Sequence, residues 1–231
     1  MKLKNQKMNG QNFYIKVCGM TDGQEIQALE SMDVDFMGIN FYPLSPRYAA
    51  DMPSLLPEFA HRVGVFVNAD MHTICSKAIP YRLEYIQLNG EEGTDAVESP
   101  DFCRELKNRG YKIIKAFHIS DVKDLEITNL YDNCCDFFLF DTKECRPVDS
   151  EEQPEQIKYG GTGKSFNWDI LNSYKGNTMF FLSGGIGPDS IKDIKSFSNP
   201  HCSGIDINSK FEYAPGRKDV QLINKFIKAI K

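Results

Sequence analysis

Short apolar runs alternate along the chain with longer segments in which apolar residues recur every three or four positions. The short runs are rich in β-branched and aromatic residues, as buried strands are, whereas the longer segments have the period of amphipathic helices. This alternation predicts repeated units of one strand and one helix. Eight runs are strand candidates: FYIKV (13–17), DFMGINF (35–41), RVGVFV (62–67), EYIQL (84–88), YKIIKAF (111–117), DFFLF (136–140), TMFFLS (178–183) and SGIDI (203–207).

The longer segments are helix candidates that would supply the crossovers between parallel strands. Eight strands alternating with helices favour a single-domain (β/α)8 barrel with parallel strands, and a doubly wound open sheet is the alternative. Residues 1–12 are predicted to be a polar tail and residues 13–231 the barrel. The helix candidates are DGQEIQALESM, MHTICSKAI, PDFCRELKNRG, ISDVKDLEITNLY, NWDILNSY, PDSIKDIKSF and KDVQLINKFIKAIK.

Composition narrows the classes of partner. The chain has 231 residues, of which 41% are hydrophobic, so it can bury one sizeable core. Its formal net charge is −5, with Lys and Arg scattered among Asp and Glu, and we expect no nucleic-acid and no membrane partner. The sequence lacks the roughly 20-residue apolar stretch of a membrane span and the apolar core of a signal peptide. We therefore expect a cytoplasmic monomer or homodimer that binds a small molecule.

The cysteines and histidines show no spacing typical of metal ligands. Seven cysteines form an odd set without a CxxC pair, and the four histidines lie far apart in the sequence. Because a cytoplasmic chain keeps its thiols reduced, we predict neither a disulfide framework nor a structural metal.

One glycine-rich stretch imitates a phosphate-binding loop without its spacing. GTGKS, within the long irregular segment 142–166, has the ending of a P-loop, but Lys158 stands where the first glycine is required. Better anion sites follow the seventh and eighth strands, where SGGIGPDSI and IDINSKFE would present backbone N–H groups at the usual phosphate position of such barrels. The alternative for Gly184 and Gly185 is that they only permit a tight turn.

Taken together, the order and spacing of several motifs are highly specific. From about Ile15 to Ile230 the chain resembles the phosphoribosylanthranilate isomerase family of tryptophan biosynthesis. The resemblance implies a (β/α)8 barrel that catalyses the Amadori rearrangement of N-(5'-phosphoribosyl)anthranilate to 1-(2-carboxyphenylamino)-1-deoxyribulose 5-phosphate, without a metal or organic cofactor. The motifs are IKVCGMTD, GINFYPLSPRY, RVGVFVN, IQLNGEE, LFDTK, YGGTGKSFNWDIL, LSGGIGPDSI and GIDINSKFEYAPGRKD.

The resemblance assigns the base to Cys18 and the general acid to Asp141. A thiolate at Cys18 would remove the C2' proton of the ring-opened Schiff base, which requires nearby positive charge or backbone dipoles to favour ionisation. Asp141 would protonate the furanose ring oxygen, which requires burial to keep its carboxyl protonated. Arg47 would bind the anthranilate carboxylate with its planar fork of donors. Without the resemblance, Cys18 could be core packing, Asp141 a cap and Arg47 a surface ion pair.

Further residues are carried over as substrate-binding groups. Asp206 would face the ribose hydroxyls, Gly163, Gly184 and Gly185 would bring backbone close to the ligand, and Ser209 would donate to phosphate. The chain departs from the family pattern in two motifs. QLNG stands where QLHG is usual, so Asn89 can bind but cannot titrate. DINSK stands where DVSSG is usual, which adds Lys210 beside the expected phosphate.

Two other functions remain open at this level. Another sugar-phosphate isomerase on the same barrel, such as one acting on a histidine-pathway intermediate, would need two phosphate cradles, and the sequence indicates one. A noncatalytic barrel that binds a phosphometabolite or senses thiols is supported only by the vicinal pair Cys134 and Cys135.

Overall fold

The computed structural model describes residues 7–8, 11–93, 95–142 and 168–230. Eight parallel strands close into a barrel in which each strand pairs with its neighbours in chain order and the last pairs with the first. The predicted (β/α)8 barrel is therefore confirmed, and the open sheet is excluded. The strands are β1 (Tyr14–Val17), β2 (Phe36–Asn40), β3 (His61–Phe66), β4 (Tyr85–Leu88), β5 (Lys112–Ile119), β6 (Phe137–Thr142), β7 (Phe180–Leu182) and β8 (Cys202–Ile207).

Helices and short helical segments cover the outside of the barrel. The α-helices are α1 (Gly23–Glu30), α2 (Met71–Tyr81), α3 (Pro100–Asn108), α4 (Ile191–Ser196) and α5 (Val220–Ile230). Segments of 3-10 helix span Val122–Leu130, Trp168–Ser173, Pro188–Ser190 and Ser209–Phe211. Two short antiparallel pairs lie outside the barrel, Lys7–Met8 with Gln11–Asn12 and Glu212–Ala214 with Arg217–Lys218. Among the described helices, none has both the length and the apolar character needed to cross a membrane.

Two predicted helices have 3-10 geometry instead of α-helical geometry. In the segment after β5, Asp121 and Asp124 form a capping box, and the Thr128 hydroxyl donates to the Leu125 carbonyl oxygen at 2.6 Å. Asp and Thr side chains that bond to nearby backbone compete with the α-helical ladder. The segment after β6, Trp168–Ser173, is only six residues long, and short helical pieces favour the tighter i to i+3 turn.

Apolar side chains pack in two layers. The larger cluster lies between the strands and the outer helices, and it includes Ile26 and Leu29 of α1 and Phe226 of α5. The smaller cluster fills the barrel interior and consists of Phe36, Val63, Tyr85, Ile114, Ala116, Leu139 and Phe181. We call this smaller cluster the interior plug. Because it fills the barrel, a ligand can bind only at an end of the barrel, and the C-terminal end carries the polar groups.

Candidate active site

A cleft opens at the C-terminal ends of the strands. Eight of the nine site residues predicted from the sequence line it; the ninth, Gly163, lies outside the described residues. The eight residues are Cys18, Arg47, Asn89, Asp141, Gly184, Gly185, Asp206 and Ser209. Their individual roles remain predictions. Their convergence from six barrel strands or the loops that follow is a property of the fold.

The period of two along a strand explains which side chains reach the cleft. On β6, Phe137 and Leu139 point into the interior plug, and Asp141, two residues further on, lines the cleft. On β4 and the loop after it, Tyr85 belongs to the plug, whereas Gln87 and Asn89 line the cleft. Interior positions therefore change from apolar to polar along β4 and β6 as these strands approach the cleft.

Cys18 lies beside a buried ion pair. The Lys16 ammonium is 2.8 Å from Asp206 Oδ1, and both residues are almost fully removed from solvent. Burial opposes the charge on Lys16, but Asp206 and Cys18 outweigh it, so the pKa of Lys16 is raised. Burial also raises the pKa of the Cys18 thiol, and the nearby cations Lys16 and Lys218 offset this only in part. The positive charge that a thiolate requires is present, yet it does not overcome burial and the charge of Asp206.

Gly38 of β2 makes room for the thiol. A Cβ atom at this position would lie 2.9 Å from Cys18 Sγ and 3.3 Å from Cys18 Cα, closer than carbon and sulfur normally approach. A larger residue would push the thiol or the strand aside. The glycine in GINF therefore has a steric role in the cleft that the sequence analysis did not assign.

Arg47 is held in the cleft by Glu212. Its Nε donates to both carboxylate oxygens at 3.0 and 2.9 Å, and Nη2 donates to Oε2 at 2.7 Å. Within the described part of the chain, the Nη1 amino group has no hydrogen-bond partner. Gly19 lies under the Arg47 stem, since a Cβ there would be 2.7 Å from Cδ. The guanidinium thus has a fixed position and keeps one donor edge for a ligand.

Lys218 completes this network. Its ammonium lies 2.6 Å from Glu212 Oε1 and 2.8 Å from Asn208 Oδ1, and its side chain is fully buried. Burial would raise the pKa of Glu212, but the hydrogen bonds from Arg47 and the charge of Lys218 outweigh it and lower that pKa. Glu212 and Lys218 belong to the hairpin in which Glu212–Ala214 pairs with Arg217–Lys218. Glu25 of α1 anchors this hairpin by accepting from the Lys218 backbone N–H at 2.9 Å. The network therefore ties α1, the loop after β2 and the loop after β8 together.

Asn89 is fixed from below by a second buried ion pair. Its side-chain oxygen accepts from Gln87 Nε2 at 2.9 Å. The Lys115 ammonium donates to the carbonyl oxygens of Leu88 and Gly90, on either side of Asn89, and to Glu98 at 2.9 Å. Both charged side chains are completely buried. Among the residues that the structure describes, Gln87 Oε1 is buried without a hydrogen-bond partner, so it offers an acceptor to a bound ligand.

The loops after β7 and β8 form the other side of the cleft. Gly184 and Gly185 have φ values of +82° and +66°, a region that other residues rarely adopt. Lys210 lies across these loops, because its Cδ would be 2.6 Å from a Cβ at Gly187 and its Nζ is 4.0 Å from Asp189 Oδ1. The extra lysine noted in the sequence is thus directed toward the loop after β7.

Three charged residues around the cleft were not predicted from the sequence: Lys16, Glu212 and Lys218. Lys16 had a visible signal, since it interrupts the apolar run YIKV with a charge that a strand buried on both faces must pair. Glu212 and Lys218 follow β8 in a polar stretch, where nothing in the pattern distinguishes a buried charge from a solvated one.

Comparisons with known proteins agree with this geometry. The family model described as N-(5'phosphoribosyl)anthranilate (PRA) isomerase matches residues 15–229. A protein from Phocaeicola vulgatus named N-(5'-phosphoribosyl)anthranilate isomerase is 43% identical over 217 residues, covering 94% of this chain and 97% of that protein.

Solved structures show the same fold. The crystal structure of phosphoribosyl anthranilate isomerase from Thermotoga maritima has a TM-score of 0.73 at 29% identity, covering 94% of this chain and 98% of that chain. A phosphoribosyl anthranilate isomerase in complex with reduced 1-(o-carboxyphenylamino)-1-deoxyribulose 5-phosphate has a TM-score of 0.71 at 27% identity, with the same coverage.

The resemblance stated from the motifs is thereby confirmed. The family match begins in β1 and ends in α5, so it includes every barrel strand and the whole described cleft. The chain belongs to the N-(5'-phosphoribosyl)anthranilate isomerase family.

Proposed function

We propose that Cys18 and Asp141 carry out the two proton transfers of the isomerase reaction in this cleft. Membership of the family makes the chain an isomerase of tryptophan biosynthesis that acts on a phosphorylated small molecule. The observation that carries the residue assignment is the placement of a thiol directly after β1 and a carboxyl on β6 around one cleft.

The proton transfers balance without a cofactor. Asp141 gives a proton to the ring oxygen as the furanose opens to the Schiff base, and Cys18 removes a proton from C2' to give the enol form. Cys18 then gives its proton to C1' and Asp141 regains one from the enol hydroxyl, which yields the ketone, so the product has the composition of the substrate and both residues return to their starting states. The positive charges of Lys16 and Lys218 favour the thiolate form of Cys18, which is the form that accepts the C2' proton.

The ends of the substrate are assigned to opposite sides of the cleft. The phosphate binds at the backbone of Gly184 and Gly185 and at the Ser209 hydroxyl, where the positive φ values expose N–H groups. The anthranilate carboxylate binds the remaining donor edge of Arg47. Asp206 and Asn89 face the open-chain sugar between them, and Gln87 Oε1 accepts from one of its hydroxyl groups.

The thiols support a cytoplasmic location. The six cysteines among the described residues are all free thiols, which persist in a reducing compartment. For the oligomeric state, a monomer or a homodimer remains the prediction.

The decisive experiment follows the loss of phosphoribosylanthranilate fluorescence with the pure protein. Cys18→Ala and Asp141→Asn should each lower kcat by roughly 10²-fold or more, the usual scale for a positioned acid or base. Cys202→Ala removes another thiol from a barrel strand, outside the cleft, and should retain parental kcat. Parental turnover in Cys18→Ala or Asp141→Asn would refute the assignment of that residue.

A further inference from the structure

Three cysteine thiols meet on the outside of the barrel. Cys103 lies on α3, and Cys134 and Cys135 lie in the turn that leads into β6. Their Sγ atoms all lie within 4.8 Å of one another, and all three residues are buried. This three-thiol cluster is separate from the cleft, whose lining includes none of the three.

The surrounding structure fixes the cluster. The Cys134 N–H and thiol both bond to the Tyr131 carbonyl oxygen, at 3.1 and 3.0 Å. Asn133 turns the chain with a φ of +67°, which allows the two adjacent cysteines to face α3. Tyr131 is itself fully buried, and its hydroxyl donates to the Glu98 carbonyl oxygen at 3.0 Å. The sulfurs are therefore held together by packing and hydrogen bonds before any ligand binds.

The charge of the bound centre determines which thiophilic element suits the three-thiol cluster. The interaction with Cys134, together with burial, raises the pKa of Cys103, burial raises that of Cys135, and the same interactions among the thiols lower the pKa of Cys134. A divalent ion on three thiolates would leave a net negative charge in this dry site. Zinc also prefers four ligands, and the described residues place no fourth His, Cys, Asp or Glu ligand atom in the group. A trivalent centre bound by three thiolates is electrically neutral and three-coordinate, so it avoids the cost of burying charge.

We propose that the three-thiol cluster is a binding site for one trivalent arsenic atom, presented as arsenite. Three As–S bonds form and three As–OH bonds break, and the three thiol protons leave with the hydroxyl groups as three water molecules. Arsenic remains trivalent and the sulfurs remain thiolate-level, so no oxidant or reductant takes part. Net charge is unchanged, which suits a buried site.

Binding would join α3 to the chain entering β6. These elements are about 30 residues apart in sequence, so the three thiols meet only in the folded protein. A ligand that binds only the folded state stabilises that state by mass action. We therefore expect the melting temperature of the protein to rise with arsenite concentration. Because the cluster lies outside the cleft, isomerase activity of the cluster variants reports that they are folded.

The test measures arsenite bound per protein by native mass spectrometry and the shift of melting temperature. The parental protein should bind one arsenic with loss of three protons. Cys103→Ser, Cys134→Ser and Cys135→Ser should each weaken binding at least about tenfold, which corresponds to roughly 1.4 kcal/mol. Cys202→Ser and Cys75→Ser are matched controls that remove thiols elsewhere and should bind like the parent. Cys103→Ala repeats the test if the buried serine hydroxyl prevents folding.

Two further measurements separate this site from other chemistry. Phenylarsine oxide needs only two thiols, so the single variants should keep much of their affinity for it while losing arsenite. Zinc ions in excess should not displace arsenite from the parent. The proposal is overturned if the parent binds no arsenic, if the three single variants bind arsenite like the parent, or if zinc displaces it.

Discussion

Lys16 and Asp206 are 190 positions apart in the chain, yet they form a buried ion pair with Nζ 2.8 Å from Oδ1. They occupy opposed positions in the pairing of β1 with β8, the contact that closes the barrel. The pair therefore exists only when the barrel is closed, and it places a cation and an anion next to Cys18.

Removal of one partner should destabilise the fold strongly. Lys16→Met leaves the Asp206 carboxylate buried without its cation, and unpaired buried charges of this kind cost about 3 to 5 kcal/mol. Urea unfolding should show this loss in the free energy of unfolding. Arg109→Ala, which breaks the exposed Arg109–Glu105 pair at the C-terminal end of α3, is the control and should change the free energy of unfolding by less than about 0.5 kcal/mol. An equal, small effect of both variants would contradict the role of the buried pair.

Arg47 should govern substrate binding more than turnover. Arg47→Lys keeps a positive charge but cannot present a fork to both Glu212 and a carboxylate, so we expect KM to rise by about tenfold or more with a smaller change in kcat. Glu212→Gln, which weakens the support of the guanidinium, should raise KM less. Steady-state kinetics with Arg109→Lys, at the exposed C-terminal end of α3, is the control. Parental KM in Arg47→Lys would remove Arg47 from the carboxylate site.

The position of the Cys18 thiol should depend on Gly38. Gly38→Ala inserts a methyl group 2.9 Å from Sγ, which must displace the thiol or the strand. We expect about a tenfold or greater loss of kcat and a destabilisation of about 1 to 3 kcal/mol from overpacking. Kinetics and urea unfolding measure the two effects separately. If kcat were unchanged while stability fell, the geometry of the thiol would not limit turnover.

The rate should rise toward alkaline pH. Burial raises the pKa of the Cys18 thiol, so the thiolate fraction still increases above neutral pH, and kcat/KM should rise with it as long as Asp141 keeps its proton. Lys218 partly offsets the effect of burial, and Lys218→Met should move the rising limb to higher pH. Lys210→Met, on the loop after β8 but absent from the charges that act on Cys18, is the control. A rising limb at the same pH in parent and Lys218→Met would show that another group is titrating.

Asp35 should make the fold less stable as the pH rises. Burial raises its pKa to about 6, although the Ile15 N–H donates to it at 2.8 Å. The folded protein therefore binds this proton more tightly than the unfolded chain does. The resulting stabilisation is fully present below the unfolded pKa of about 3.9 and is lost as the pH passes 6. Because Asp35 is partly exposed, we expect a loss of about 1 to 3 kcal/mol.

Asp35→Asn keeps an acceptor for the Ile15 N–H and removes the titration. Its free energy of unfolding, measured between pH 4 and 7, should fall less with rising pH than that of the parent. Asp101→Asn on the exposed side of α3 should follow the parental curve. A steeper fall in Asp35→Asn than in the parent would reverse the assigned sign.

The sequence by itself determined the barrel and the chemical inventory of the cleft. The alternation of apolar runs and helical periods is local, because it follows from the burial that each strand and helix needs, so the eight strands could be counted before the sheet was seen. Residues at strand ends, such as Cys18 and Asp141, could then be assigned to one end of the barrel, since parallel strands all finish there.

Only the tertiary structure decided which charges meet. Lys16 needed the closing contact of β8, Arg47 needed Glu212 from a hairpin beyond that strand, and the three-thiol cluster needed α3 to pack beside the turn before β6. The raised pKa of Cys18 could not be predicted from the sequence either, because desolvation depends on every side chain that excludes water from the thiol. Long-range contacts and burial are properties of the closed barrel, and no local pattern of residues encodes them separately.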